Sequence, residues 1–336
     1  MRNKKNWWKV ILILLIALIS FSFLMIRRSN INIVSLFRDL TFDKMSWTRN
    51  QAKVGVMPIC GLDNEWTVLV AGVDYRGTEY LYGLADAIRL VRIDFTKPQI
   101  NVVPLHRNLV VEPPAAMDIE GVMMLNQTYF FGTVGMGHFD GEGFGGGALA
   151  AAIRENFGIE VDHYLVVNLE IFEHVVNAIG GIEVDLPTEV DDRPVAYFPP
   201  GKQSLNGTQA LNLARARRNY SDSFRISSQS IVLNAIFDRV NDPAILLRLP
   251  DIYQAVSGSI LTDLSAADIA TLLCLTPRLK SESLFFAEPP LDILVSEYQF
   301  IPNMSQQMMI YRWDARFLNW LTTTLRHGQT ESVAAE

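Results

Sequence analysis

Cysteine is nearly absent from this chain of 336 residues, which holds only Cys60 and Cys274. No CxxC pair exists, so a cysteine-built metal site is excluded. The five histidines, His106, His138, His163, His174 and His327, have no metal-ligand spacing. No GxSxG elbow is present, which argues against a serine hydrolase. Glycines crowd between Gly132 and Gly147, but they lack the Walker spacing and no Lys-Ser/Thr follows. Their expected use is a sharp bend or a close approach of the backbone. No basic block occurs outside the N-terminal tip, and the formal charge is −7. That balance excludes general nucleic-acid binding, which needs a basic face. Internal repeats and low-complexity tracts are also missing.

The first long feature that is present is apolar. Val10 to Ile26 runs for 17 residues without a charge, the short end of a membrane-spanning helix. Trp7 and Trp8 stand at its edge, where indoles favour the headgroup region. Arg2, Lys4, Lys5 and Lys9 precede it and Arg27 and Arg28 follow, which favours an N-terminus inside. A cleavable signal peptide is the competing reading, but Phe21, Phe23, Leu24 and Met25 replace the small residues of a cleavage site. Either reading exports the body. In an exported chain the two cysteines form a disulfide or stay as two buried thiols. The apolar fraction of 49% is partly raised by this segment and still allows a substantial core.

Residues 1–9 are thus expected as a cytoplasmic tail, 10–26 as a transmembrane helix and 27–62 as a stalk. Ordered folding is expected from 63 to 243, with 244–330 a helical extension that completes the domain. Trp66–Val73 reads as a buried strand ending at Asp74. Ile88–Asp94 and Gln99–Leu105 read as an antiparallel pair joined by a turn at Thr96-Lys97-Pro98. The Phe131–Gly147 loop feeds a helix over Ala148–Phe157. A strand follows at Asp162–Leu169, then a helix at Glu170–Ile179 stopped by Gly180-Gly181, then a strand at Ile182–Leu186. Helical periodicity returns at Gly207–Arg217, Phe224–Val240, Ala244–Val256, Leu264–Leu275 and Met308–Arg326, with a late strand at Ser283–Phe286. Strands interleaved with helices predict an α/β fold, an α-β-α sandwich with a mixed parallel/antiparallel central sheet flanked by helices.

The residues that carry chemistry are carboxylates and arginines. Asp74 lies just past one strand and Asp86 just before the next, 12 positions on. Two carboxylates plus phosphate oxygens suit Mg²⁺, which keeps several waters. The plainer reading is that Asp is common at strand ends. Arg107 follows an apolar strand, and its planar fork suits two oxygens of a diphosphate, or else a surface salt bridge. Arg215 and Arg217 converge only if their helix ends between them. Arg225 and Gln229 are one turn apart and share a helical face.

Taken in order, these pieces resemble the LytR-CpsA-Psr family of bacterial cell-envelope enzymes. Gly72-Val-Asp74-Tyr-Arg76 is similar to its Gly-x-Asp-x-Arg, and Gly83-Leu-Ala-Asp86-Ala weakly to its Gly-Arg-Ser-Asp-Thr. His106-Arg107-Asn108 stands where the family has Pro-Arg-Asp, and Met124-Leu-Asn126-Gln-Thr-Tyr129 where it has Lys-Leu-Asn-x-x-Tyr. Gly158-Ile-Glu-Val-Asp162-His-Tyr164, Gly180-Gly181-Ile-Glu-Val-Asp185-Leu-Pro187 and Gly201–Leu211 resemble the middle motifs. Arg215-x-Arg217, Asp222 and Arg225-Ile-x-x-Gln229 resemble the arginine helix.

The resemblance implies an Mg²⁺-dependent phosphotransferase that moves a glycopolymer from an undecaprenyl-diphosphate carrier to peptidoglycan. Its place would be the bacterial cell membrane, single-pass, with the catalytic domain outside. Asp74 and Asp86 would hold the metal. Arg76, Arg107, Arg215, Arg217, Arg225 and Gln229 would hold the diphosphate, with Arg107, Asp86 and Arg217 acting on the reacting phosphate. An apolar tunnel would take the polyprenyl tail. Three positions depart from the pattern, Leu84 for arginine, Asn108 for aspartate and Ser228 for arginine. Each removes charge, and one lost cation costs about 1.5–3 kcal/mol of charged hydrogen bonding. Arg89, on the right strand face, or Arg218 would replace Leu84. The losses motivate two alternatives, a non-catalytic binder of polyprenyl phosphate or glycan, and a polyprenyl-diphosphate pyrophosphatase.

Overall fold

The computed structural model describes residues 58–328, apart from 62, 76–82, 217–221, 249–250, 253–259 and 289–290. The expected tail and membrane helix, and the stalk as far as residue 57, lie outside the described residues. Among the described residues no helix is long and apolar enough to cross a membrane.

The chain first builds a meander of β1 (Glu65–Val73), β2 (Ala85–Asp94) and β3 (Gln99–Leu105). Asp94 closes the β2–β3 turn by accepting hydrogen bonds from the amides of Thr96 and Lys97. Short strands β4 (Val110–Val111) and β5 (Met123–Met124) pair next, and α1 (Leu125–Phe131) and α2 (Phe144–Phe157) follow. β6 (His163–Asn168) then runs parallel to β1, and α3 (Leu169–Ala178) starts on the Asn168 side chain, which accepts from the Ile171 amide. A small second layer holds β7 (Ile182–Leu186), the hairpin β8 (Val190–Asp192) and β9 (Ala196–Phe198), and β10 (Gly201–Leu205), which pairs with β7. Helices α4 (Gly207–Arg215) and α5 (Asp222–Val240) cover it. The chain ends with β11 (Leu261–Thr262), α6 (Ala266–Leu275), β12 (Leu284–Phe286), β13 (Val295–Ile301), β14 (Gln306–Arg312) and α7 (Ala315–His327).

Six strands form one mixed sheet in the order β11-β6-β1-β2-β3-β12. The β6–β1 and β3–β12 pairs are parallel and the other three are antiparallel. Alternation along each strand divides the side chains between two faces. Leu69, Ala71, Val73, Ile88, Leu90 and Val103 pack against α1, α2 and α7. Trp66, Val68, Ile93 and Phe95 face the other way, toward Leu275 of α6. Cys60 and Cys274 are joined by a disulfide beside this second cluster, with Cα atoms 6.0 Å apart. The fold is therefore α/β with a mixed sheet and helices on both faces.

Several local expectations change. The segment from 244, expected as helical, opens instead on a 3-10 helix over Pro243–Arg248 and carries four strands, β11 to β14, two of which join the main sheet. Helix α2 begins at Phe144, so Gly145, Gly146 and Gly147 lie in its first turn rather than in a loop. A Cβ on Gly145 would stand 2.7 Å from the Tyr129 carbonyl, and the close packing of α1 on α2 outweighs the poor helix propensity of glycine. Helix α1 itself was not expected; Gln127 caps it by accepting from the Met124 amide. The run from Met308, expected as helix, is instead the second strand of the β13–β14 hairpin. The last helix starts only at Ala315, after Asp314 caps it.

Candidate active site

The sheet carries a cavity of about 350 Å³ on the face opposite α1 and α2. Its floor is Val70 and Gly72 of β1, Ala87 and Arg89 of β2, and Val167 of β6. The registers Val70↔Arg89, Gly72↔Ala87 and Gly72↔Val167 set these side by side. Phe172 of α3, Leu211 and Ala214 of α4, and Val232 and Leu233 of α5 complete a mainly apolar wall. Asp192 and Val195 reach it from the β8–β9 hairpin.

Asp74, Asp86, Arg215, Arg225 and Gln229 all line this one cavity. The β1–β2 register slips between Gly72 and Val73, so Asp86 is an extra residue on β2. Without that bulge, alternation would turn Asp86 to the opposite face from Ala87; bulges re-aim side chains in this way. The Asp74 amide donates to the Leu84 carbonyl at 3.0 Å, which closes the two carboxylate-bearing segments together. Gly83 permits it, because its φ is +104° and a Cβ would meet the Asp74 carbonyl at 2.7 Å.

Arg107 lies two residues beyond β3, and the Ile88↔Leu105 register carried outward sets it opposite Asp86. Its Nη1 donates to Asp86 Oδ2 at 2.7 Å, in a shielded pair. The other carboxylate oxygen, Asp86 Oδ1, is buried without a hydrogen-bond partner among the described residues. Arg215 is the last residue of α4, where Ala216 turns to extended backbone. Its Nη2 donates to Asp74 Oδ1 at 3.2 Å, with both side chains nearly half exposed. Such a pair contributes about 0–1 kcal/mol and exchanges readily for a ligand oxygen.

Arg225 and Gln229 project from successive turns of α5, and Arg225 is buried. Gln229 Oε1 accepts from Arg89 Nη2 at 2.9 Å. Arg89 is 3% exposed. Burial, and after it the charge of Arg225, lowers its pKa to about 9, so it stays protonated at neutral pH. Arg76 and Arg217 lie outside the described residues. The site also uses Asp192, Val195 and Phe172, which the sequence reading did not single out. For Arg89 the signal was its place in the apolar run Ala87-Ile-Arg-Leu-Val91.

Two carboxylates on one cavity wall, one with a buried free oxygen, suit a hard cation completed by phosphate and water. Among the described residues no group of three or more His, Cys, Asp or Glu could hold a metal without such help.

This arrangement belongs with a known family. The model of the LytR_cpsA_psr family matches residues 33–286, about three quarters of the chain, and the chain belongs to that family. The polyisoprenyl-teichoic acid–peptidoglycan teichoic acid transferase TagV of Bacillus subtilis is 27% identical over 209 residues, covering 59% of this chain and 50% of that protein. The cell wall biosynthesis protein LcpA of Corynebacterium glutamicum is 36% identical over 125 residues, covering 34% of this chain and 23% of its own. The chain thus spans about half the length of TagV and less of LcpA. The crystal structure of B. subtilis TagV superposes with a TM-score of 0.59 at 21% identity, over 78% of this chain and 96% of that one, which shows the shared fold.

Proposed function

We propose that this protein is a membrane-anchored phosphotransferase that moves a glycopolymer from a polyprenyl-diphosphate carrier onto peptidoglycan outside the cell. The observation that carries this reading is the pairing of an apolar cavity with a mouth of carboxylates and arginines on one sheet face. The names of the relatives agree with it, since TagV and the TagU proteins are polyisoprenyl-teichoic acid–peptidoglycan transferases. The disulfide supports an oxidising, extracytoplasmic location.

In this reading the tail lies along Val167, Phe172 and Val232, and the diphosphate sits among Arg107, Arg215, Arg225 and Gln229, with Arg76 and Arg217 joining it. Asp74 and Asp86 would hold Mg²⁺, which would supply positive charge beside the phosphate oxygens. An acceptor hydroxyl forms a bond to the phosphorus nearest the glycan. The bridging P–O bond breaks, polyprenyl phosphate leaves, and the hydroxyl proton passes to a base. Charge spreads over the phosphate oxygens at the transition state, and the arginine forks stabilise it. The Asp86 contact keeps Arg107 aimed before substrate arrives, so little reorganisation remains for the reaction step.

The test is release of polyprenyl phosphate from a short polyprenyl-diphosphate-linked glycan by the full chain in detergent, with peptidoglycan fragments as acceptor. Turnover should need both Mg²⁺ and Arg107, and Arg107→Ala should lower it about 100-fold or more. Equal turnover by Arg107→Ala would reject the site. Binding without turnover, with acceptor present, would favour a lipid-binding role, and release without acceptor would favour a pyrophosphatase.

A further inference from the structure

Arg89 belongs to no motif of the family pattern, yet it is a buried cation of the cavity floor. Its donors meet only neutral groups. Nη1 donates to the Ile88 carbonyl at 3.1 Å, and Nη2 to the Ile226 carbonyl at 3.4 Å and to Gln229 Oε1 at 2.9 Å. Nε has no partner, and among the described residues no carboxylate pairs with this guanidinium. The charge of Arg225, another buried cation of the cavity, also acts on it. Holding the Arg89 guanidinium away from water with neutral partners alone is unfavourable unless an anion joins it. The Arg89 position on the floor therefore favours an anion, and a planar guanidinium fork suits phosphate oxygens.

Depth is the second observation. Arg89 lies two residues beyond Ala87 on the same face of β2, about 7 Å further from the carboxylates along the strand.

We propose that Arg89 is a phosphate-binding residue of this chain, gripping with Arg225 the diphosphate of its lipid carrier from the cavity floor. The proposal deepens the transferase reading and rests on it for the identity of the lipid. It draws the diphosphate over the sheet, from the carboxylates toward Arg89. The Gln229 contact orients the fork, and the apolar wall leaves the isoprenoid in place.

The experiment measures binding to the full chain in detergent of three probes, farnesyl diphosphate, farnesol and inorganic pyrophosphate. Wild type, Arg89→Met, Arg89→Lys and Arg107→Ala are compared, each with a melting curve. Arg89→Met should weaken both diphosphates roughly 10- to 100-fold, leave farnesol unchanged and melt no lower than wild type. Arg89→Lys should fall between, because it keeps the charge without the fork. Unchanged diphosphate binding by Arg89→Met overturns the proposal. So does an equal loss of farnesol, which would make Arg89 a structural tie between β2 and α5. If Arg107→Ala weakens farnesyl diphosphate and Arg89→Met does not, Arg89 fails and the transferase reading stands. If pyrophosphate binds through Arg89 but farnesyl diphosphate adds nothing to it, the anion site stands and the lipid reading fails. If wild type binds neither diphosphate, both are overturned.

Discussion

Removing the Cys60–Cys274 bond is the perturbation whose size the structure allows to be worked out most directly. The bond closes a segment of 214 residues. Loop closure of that length removes about 18 cal/mol/K of chain entropy from the unfolded state, or about 5 kcal/mol at 25 °C. Native disulfides of this kind are worth about 2–5 kcal/mol when removed, so the upper part of that range is expected. For a chain of this size the loss corresponds to a fall in melting temperature of about 10 °C. The damage should begin at α6, because only Leu275 of that helix is buried and Leu272 is half-buried against Trp66 and Phe95. The assay compares melting of the oxidised protein, the protein in reductant, and a Cys60→Ser/Cys274→Ser variant, with limited proteolysis across 260–280. Thiol titration of the denatured, unreduced chain should find no free thiol. Two thiols per chain in exported protein, or an unchanged melting temperature on reduction, would refute the reasoning.

Two further outcomes follow from single contacts. Asn108 replaces the family's aspartate, and its Nδ2 donates to the Met309 carbonyl of β14 at 2.9 Å, a bond that a carboxylate cannot make. Asn108→Asp should therefore lower stability by about 3 kcal/mol at neutral pH. The carbonyl raises the folded-state pKa of the new carboxyl above its unfolded value of about 4, so the loss should be full above that raised pKa, shrink as the pH falls from there toward about 4, and be gone below it, which urea unfolding at several pH values would register. Gly207 stands where α4 crosses α3, and a Cβ there would fall 2.2 Å from the Glu173 carbonyl. Gly207→Ala should cost about 3 kcal/mol by forcing the helices apart, visible as a lower urea midpoint.

Much of the frame was legible along the chain. The β1–β2–β3 meander follows from alternating apolar residues and the Thr96-Lys97-Pro98 turn. The stop of α3 follows from Gly180 and Gly181, both with positive φ. The C-terminal segment was harder. Its β13 strand leaves Tyr298 77% exposed, so no apolar face marked it as sheet. The Met308–Tyr311 run suits a helix as well as a strand until the pairing with β13 selects one. Helix α1 is short and buried nearly all round, which erases the amphipathic period that would have revealed it.

Composition and local pattern determined the residue chemistry, the hairpins and the order of the motifs, since these depend on neighbours a few positions apart. The cavity depended on distant partners. Asp86 faces it because β2 carries one more residue than β1 at the strand end, and Arg107 meets Asp86 because β2 and β3 keep one register past Leu105. Arg89 became a cavity residue when α5 closed over β2 from 137 positions away. A one-residue change of register sends a side chain to the other face of a sheet. The sequence therefore named the charges, and tertiary packing alone decided which of them share a wall.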